Sequence, residues 1–151
     1  MPHVEFSGNQ IFEKLPEALI QSLFEAGDIS SLPGGTELVK EGDLPDRLFV
    51  VLDGEVEVYL PESAERLSVV RLATLGPGDC FGEYAFIDRQ PTSASIRSVG
   101  NVEIYSIPND RFQEFLDSHY TVASIVYRNL LRILVQRLRA SNAELDLFSF
   151  S

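Results

Sequence analysis

The stretch Gly76-Pro77-Gly78-Asp79-Cys80-Phe81-Gly82-Glu83-Tyr84-Ala85-Phe86 combines the residue types in this chain best suited to holding a ligand. Gly82 followed by Glu83, Tyr84, Ala85 and Phe86 can open a single helical turn. The first N–H groups of such a turn have no acceptor within the helix and point outward, where they attract an anion. Glu83 adds an acceptor-only carboxylate, which suits a sugar hydroxyl and repels a phosphate set directly against it. The two features together suit a ligand that carries a hydroxyl and a phosphate side by side. On its own, a Gly-Glu-x-Ala turn is common.

Other chemistries find little support in the residues. His3 lies at the N-terminus and His119 at a helix junction, and neither is spaced with a second ligand as a zinc or non-haem iron site requires. The chain has neither a Gly-x-Ser-x-Gly elbow nor a Gly-x-x-x-x-Gly-Lys-Ser/Thr phosphate loop. Cys80, the single cysteine, has no histidine nearby in sequence to activate it and reads as a small strand residue. The expectation is a protein without a metal, without a disulfide and without catalytic activity.

Composition narrows the partners. The 151 residues are 44% apolar, with ten Phe and five Tyr, enough to bury a core for one domain. Twelve Lys and Arg against 23 Asp and Glu leave a net charge of −11, which repels nucleic-acid backbones and anionic lipid. The start, Met1 to Glu5, is neither basic nor apolar, and no run approaches the roughly 18 apolar residues of a membrane span. A cytoplasmic protein with no direct DNA contact and no membrane contact is expected.

The elements that must position the Gly82 turn are readable from periodicity. Ile11, Phe12, Leu15, Leu19, Ile20, Leu23 and Phe24 recur at helical steps, so helices are expected over about 8–27, with Pro16 starting a second piece and Gly27 ending it. From about 28 to 107 short β-rich runs alternate with Gly, Pro and Asp. About eight strands are predicted, the clearest being Leu48 to Leu52 and Glu55 to Leu60 across the Asp53-Gly54 turn. Others fall at Glu37 to Val39, Leu67 to Leu75, Ser93 to Val99 and Val102 to Ile107. In the Glu55 to Leu60 run, Val56, Val58 and Leu60 predict a packed face and Glu55, Glu57 and Tyr59 a wet one. Regular turn spacing favours a sandwich, roll or barrel over a parallel sheet.

Helical spacing returns over about 109–145. Asn109 or Asp110 can cap a short helix through Leu116, and a longer one runs from about Ser118 to Glu144. The longer one has two apolar rows. Val122, Val126, Leu130 and Ile133 can lie on the β unit, while Tyr127, Leu131, Leu134, Leu138, Ser141, Leu145 and Phe148 follow coiled-coil steps. The second row predicts a homodimer with Leu131, Leu134, Leu138 and Leu145 in its seam; the alternative is that this row folds back on the same chain.

The ordered set of these pieces resembles the cyclic nucleotide-binding domain family, found in catabolite-activator-type regulators, kinase regulatory subunits and gated channels. The resemblance rests on Ile11-Phe12 and Leu15, Leu32 to Thr36, Glu41-Gly42-Asp43, Leu48 to Val58, Leu75 to Ala85, Ser95-Ile96 and Phe112, covering nearly the whole chain. It implies a mainly β fold with flanking helices, an eight-stranded β roll in a single domain over 1–151, with a phosphate-binding cassette after Phe81. Gly82, Glu83 and Ala85 match cassette positions where the family uses backbone N–H groups for the cyclic phosphate and the Glu for the ribose 2′-hydroxyl. Phe81, Tyr84 and Ser93 are grouped with them as site residues.

One position departs from the pattern. The family continues as Pro-Arg-x-Ala-Thr/Ser-Val/Ile, and this chain reads Pro91-Thr92-Ser93-Ala94-Ser95-Ile96, with Thr92 where the phosphate-binding Arg is expected. An arginine supplies charge and a bidentate fork, whereas a threonine supplies one neutral bond. Two charge-assisted bonds at about 1.5–3 kcal/mol each amount to roughly two orders of magnitude in affinity or more. Arg89 or Arg97 supplies the charge if the loop bends suitably; otherwise each is a surface residue. Ser141 and Asn142 fall where some family members set polar side chains against the purine, or are an ordinary polar interruption near a helix end. Arg128, Arg132, Arg137 and Arg139 read as solvated or paired with acids of the roll.

The expected function is therefore a stand-alone regulatory module that binds cyclic AMP or cyclic GMP. The alternative is a degenerate roll that has lost the ligand and works as a dimerisation or protein-interaction module. A transcription factor of the catabolite-activator type would need a helix-turn-helix beyond the long helix, for which the sequence to Ser151 leaves no room.

Overall fold

Chain order in the computed structural model is α1 (Glu17–Ala26), β1 (Asp28–Leu32), β2 (Glu37–Val39), β3 (Arg47–Asp53), β4 (Val56–Leu60), β5 (Val70–Leu75), β6 (Cys80–Phe81), α2 (Glu83–Asp88), β7 (Ser95–Ser98), β8 (Val102–Pro108), α3 (Asn109–Ser118) and α4 (Tyr120–Ser149). It describes residues 11–149, and the side chains of Tyr84 and of 141–149 lie outside the described set. The strands form two four-stranded sheets, in the orders β1-β8-β3-β6 and β2-β7-β4-β5. All the pairings are antiparallel. This is the expected mainly β roll with eight strands and flanking helices.

The apolar run Leu48-Phe49-Val50-Val51-Leu52 explains why β3 is central. Alternate side chains leave a strand on opposite faces, so an uninterrupted apolar run must be covered on both sides. Leu48 and Val50 join Tyr105, Ile107 and Cys80 against α1, α3 and α4. Val51 joins Phe81, Val102 and Ile104 against Val39, Val56 and Ile96 of the other sheet. One sheet thus separates a helical layer from a sheet layer. The β3 to β4 turn requires a glycine: Gly54 has φ +83, and a Cβ there would lie 2.4 Å from the Asn101 carbonyl oxygen.

In α4 the row Val122, Val126, Leu130 and Ile133 is buried, as its spacing predicts. Asn129 lies beside that row, 2% exposed, and donates from Nδ2 to the carbonyl oxygens of Ile11 (3.1 Å) and Glu13 (2.8 Å). A polar side chain in an apolar setting is tolerated because it pins the N-terminal segment to α4.

Several expectations need correction. The helical piece expected from Pro16 to Gly27 is α1, with Pro16 as N-cap and Gly27 as C-cap, while Ile11 to Leu15, expected in a first helical piece or in the leading part of one broken helix, form turns among the described residues. Pro108, with no side-chain bond, caps α3, so neither Asn109 nor Asp110 does so. Strand β5 begins at Val70, later than the expected Leu67, after a turn that the Ser63–Arg66 β-bridge closes. The wet face expected in β4 is covered: Glu57 is 8% exposed and Tyr59 4%. Arg97 Nε and Arg71 Nε reach the Glu57 carboxylate at 2.5 and 3.4 Å, and the Arg97 guanidinium sits 4.1 Å above the Tyr59 ring. Alternation of residue type cannot foresee this, because cross-strand ion pairs and cation–π stacking cover polar side chains as well as apolar neighbours do.

Asn129→Ala removes the side-chain donor shared by the buried Ile11 carbonyl and the Glu13 carbonyl and should lower unfolding free energy by about 1–3 kcal/mol. Urea denaturation with an unchanged slope checks this, and an unchanged midpoint would refute the pinning role.

Candidate functional site

Strand β6 is two residues long and pairs with β3 through Phe49↔Phe81 and Val50↔Cys80. The Phe49 and Phe81 rings stack at 4.7 Å, which seats the segment against the roll. The chain then turns at Gly82, φ +84, where a Cβ would meet the Arg47 carbonyl oxygen at 2.6 Å. Only glycine fits both the angle and the space. Helix α2 follows for six residues and ends at Arg89, itself left-handed at φ 55, whose N–H donates to the Ala85 carbonyl.

The return loop is held from below. The Thr92 N–H donates to the Asp43 carbonyl at 2.8 Å, and the Gly42 N–H to the Thr92 carbonyl at 2.9 Å. The Thr92 hydroxyl donates to the Ala94 carbonyl at 3.1 Å. Ser95, buried, accepts from the Glu41 N–H. Thus Glu41-Gly42-Asp43 clamps the loop between α2 and β7.

Between α2, this loop and the β2-β7-β4-β5 sheet lies a cavity of about 560 Å³, whose apolar walls include Val39, Val58, Leu72, Leu75 and Ile96. Phe81, Gly82, Glu83, Ala85, Thr92 and Ser93 all border it, so most of the expected site residues come together. The side chains of Tyr84, Ser141, Asn142 and the seam residue Leu145 lie outside the described set. Arg89 is not brought in: it is exposed and borders a separate hollow with Asp46, Phe86 and Asn109. The left-handed turn that ends α2 aims it there. Arg97 is also excluded from the site by its bond to Glu57.

Glu83 is 1% exposed, and its Oε1 accepts from Nη1 of Arg137 on α4. Its Oε2 is buried with no hydrogen-bond partner among the described residues. Arg137 also borders the cavity. Sequence reasoning placed it only among the basic residues of the long helix. A sharper signal was available, since the buried row Val122, Val126, Leu130, Ile133 continues at a four-residue step to Arg137, where a charge interrupts the apolar pattern. Cys80 lines the same cavity, with its thiol pushed up to about 12 by burial and then by the negative charge of Glu83. Among the described residues no group of three or more His, Cys, Asp or Glu is placed to hold a metal. None of their helices is long and apolar enough to cross a membrane.

Two antiparallel sheets carrying a glycine-initiated turn, a buried acid and a cavity bordered by Arg137 of the C-terminal helix define a β roll with a candidate ligand site. Residues 29–119 match the family model described as "Cyclic nucleotide-binding domain". The chain belongs to the cyclic nucleotide-binding domain family. It is 33% identical over 78% of its length to the cyclic AMP receptor protein of Thermus thermophilus, covering 52% of that protein. It is 31% identical over 80% of its length to a cyclic nucleotide-gated potassium channel of Mesorhizobium japonicum, covering 32%. Over 96% of its length it is 30% identical to glutaminase 1 of Bradyrhizobium diazoefficiens, covering 22%. The chain therefore spans about a fifth to a half of these relatives. The solved Thermus thermophilus catabolite activator protein superposes with a TM-score of 0.80 at 27% identity, over 94% of this chain and 64% of that one.

With its pKa raised, Cys80 carries almost no thiolate near neutral pH. Iodoacetamide at pH 8 should leave the native protein unmodified and label one thiol per chain after unfolding. Rapid labelling of the native protein would contradict this burial.

Proposed function

We propose that the chain is a regulatory, non-enzymatic module that binds cyclic AMP or cyclic GMP in the cavity between the roll and α4. The observation that carries the reading is Glu83, an almost fully buried acid on the cavity with one oxygen lacking a hydrogen-bond partner among the described residues. A buried carboxylate oxygen without a donor is costly, and a ligand hydroxyl is the donor that relieves it. In this reading the ribose 2′-hydroxyl bonds Glu83 and the cyclic phosphate meets the N–H groups of Gly82, Glu83, Tyr84 and Ala85. The base lies along the apolar wall, and Thr92 and Ser93 border the phosphate. The cavity volume falls within the several hundred cubic ångströms usual for small-ligand sites. Family membership supports the same ligand class. The described residues act as one binding unit.

A second reading keeps the fold as an interaction module. Two observations favour it: the Thr92 hydroxyl is engaged inside its own loop, and Leu131 and Leu138 on α4 are 63% and 61% exposed. With Tyr127 and half-buried Leu134 they form the row expected to pair with a second copy. Dimerisation through this row is compatible with either reading.

Calorimetric titration with cyclic AMP and cyclic GMP tests the first reading. Thr92→Arg should bind at least about tenfold tighter than wild type, and Glu83→Gln at least about tenfold weaker. No heat from folded wild type and folded Thr92→Arg would leave only the interaction module. For the dimer, Leu131→Glu with Leu138→Glu should halve the mass found by sedimentation equilibrium. An unchanged mass would count against the seam.

A further inference from the structure

A second hollow, of about 550 Å³, lies between the 44–46 loop, the end of α2 and the start of α3. It shares Pro45 and Ala85 with the cavity beside Glu83 and has no other lining residue in common with it. Its volume is that of a small-molecule site, and Pro45, Phe86 and Pro108 give it an apolar lining. None of Glu83, Thr92 and Arg137 borders it, so what it holds is independent of the cyclic-nucleotide reading.

The charges around this hollow do not satisfy one another. Arg89 borders it together with Asp46, Asp110 and Glu114, one positive group against three negative. No ion pair joins the arginine to any of the three acids, and no other side-chain partner meets any of the four among the described residues. Opposite charges that share a concave surface without touching leave each free to meet a ligand that carries both signs. Asn109 adds a fixed acceptor. Its N–H donates to the Asp46 carbonyl at 2.8 Å and its Nδ2 to the Pro45 carbonyl at 3.3 Å, so the amide is held and cannot swing to find a donor. Its Oδ1 is buried at the wall of the hollow with no hydrogen-bond partner among the described residues. An acceptor taken out of water without a donor is costly, and an N–H of an occupant relieves it.

We propose that this hollow is a second binding site, and that its ligand is an α-amino acid with a basic side chain. Such a molecule carries one carboxylate and two cations, which answers to one arginine and three acids. The carboxylate meets the Arg89 guanidinium, whose planar fork matches both of its oxygens. The α-ammonium and the side-chain cation meet the three acids and supply the N–H that Asn109 Oδ1 lacks. The aliphatic stem runs along Phe86 and the prolines. A ligand of a single sign suits this wall less well: a phosphate would face three carboxylates, and a polyamine would leave Arg89 opposed by a like charge.

Calorimetric titration of the full chain with L-arginine, without any nucleotide present, tests the assignment. The charged groups are exposed, so each contact contributes a modest factor. L-Arginine should bind at least about threefold tighter than agmatine, which lacks the carboxylate, and than Nα-acetyl-L-arginine, which lacks the ammonium. The same margin is expected over L-citrulline, whose neutral urea replaces the guanidinium. Arg89→Asn, a residue that accepts the left-handed backbone at this position, should abolish the advantage over agmatine and leave the other two. Asp110→Asn combined with Glu114→Gln should shrink the advantage over citrulline and over the acetylated compound, and leave that over agmatine. Circular dichroism reports the fold of each variant. Agmatine bound as tightly as L-arginine would overturn the assignment and leave an acidic surface that gathers cations. An advantage over agmatine that survives Arg89→Asn would overturn it too, as would the absence of heat from folded wild type. Cyclic AMP is titrated separately, so failure of the cyclic-nucleotide reading and failure of this one are told apart.

Discussion

A carboxylate withdrawn from water must find a cation or donors, and this structure is organised around how Glu83 meets that requirement. It sits at the first position of α2 behind a left-handed glycine, so its own backbone is fixed by the close approach of Gly82 to Arg47. Its side chain cannot retreat to solvent, because the Phe49–Phe81 stack and β3 hold the turn inward. The charge is met by Arg137, about fifty residues later in the chain. A pair of this kind is weak evidence for stability, since desolvation offsets the attraction, but removing either partner alone leaves an uncompensated charge. Helix α2 and the C-terminal helix are thereby tied at one point.

A second tie runs through aromatic packing. Phe86 of α2 meets Phe112 of α3 edge-on at 5.0 Å, and Phe112 meets Phe12 at 6.2 Å. Asn129 of α4 then holds the same N-terminal segment through Ile11 and Glu13. The buried helical cluster is thus continuous from the cavity-lining helix to the long C-terminal one. Displacement of α2 cannot occur without repacking Phe112, because interiors at crystal-like density leave no room for isolated shifts. The cavity rests against a helical layer that shares its core.

The sheet on the other side of the cavity is stiffened differently. Its outer face carries Glu57 with Arg97 and Arg71, and Tyr59 donates to Glu37 at 3.2 Å. Its inner face supplies Val39, Val58 and Ile96 to the cavity wall. Strands β2, β4 and β7 of that sheet therefore turn an apolar face to the cavity and carry Glu37, Glu57, Tyr59 and Arg97 on the other, while β5 is largely exposed. The cavity wall and the ion pairs are kept on opposite faces of the same strands.

Much of this was legible in the residue pattern. The two-sided apolar run of β3, the Asp53-Gly54 turn, the buried row of α4 and the Gly82-Glu83 turn follow from local periodicity and from the backbone angles that only glycine adopts readily. Local chemistry of that kind is written in neighbouring residues, as were the eight strands, whereas the cassette and the departure at Thr92 were expectations from the family resemblance. What depended on tertiary structure was which charges meet. Arg89, three residues before Thr92, turns away with the end of α2, while Arg137, 45 residues after it, enters the cavity. Ion pairs between distant segments are set by helix register and sheet twist together, and no spacing along the chain encodes their sum. The same reason explains why Glu57 and Tyr59 proved buried although their alternation read as wet.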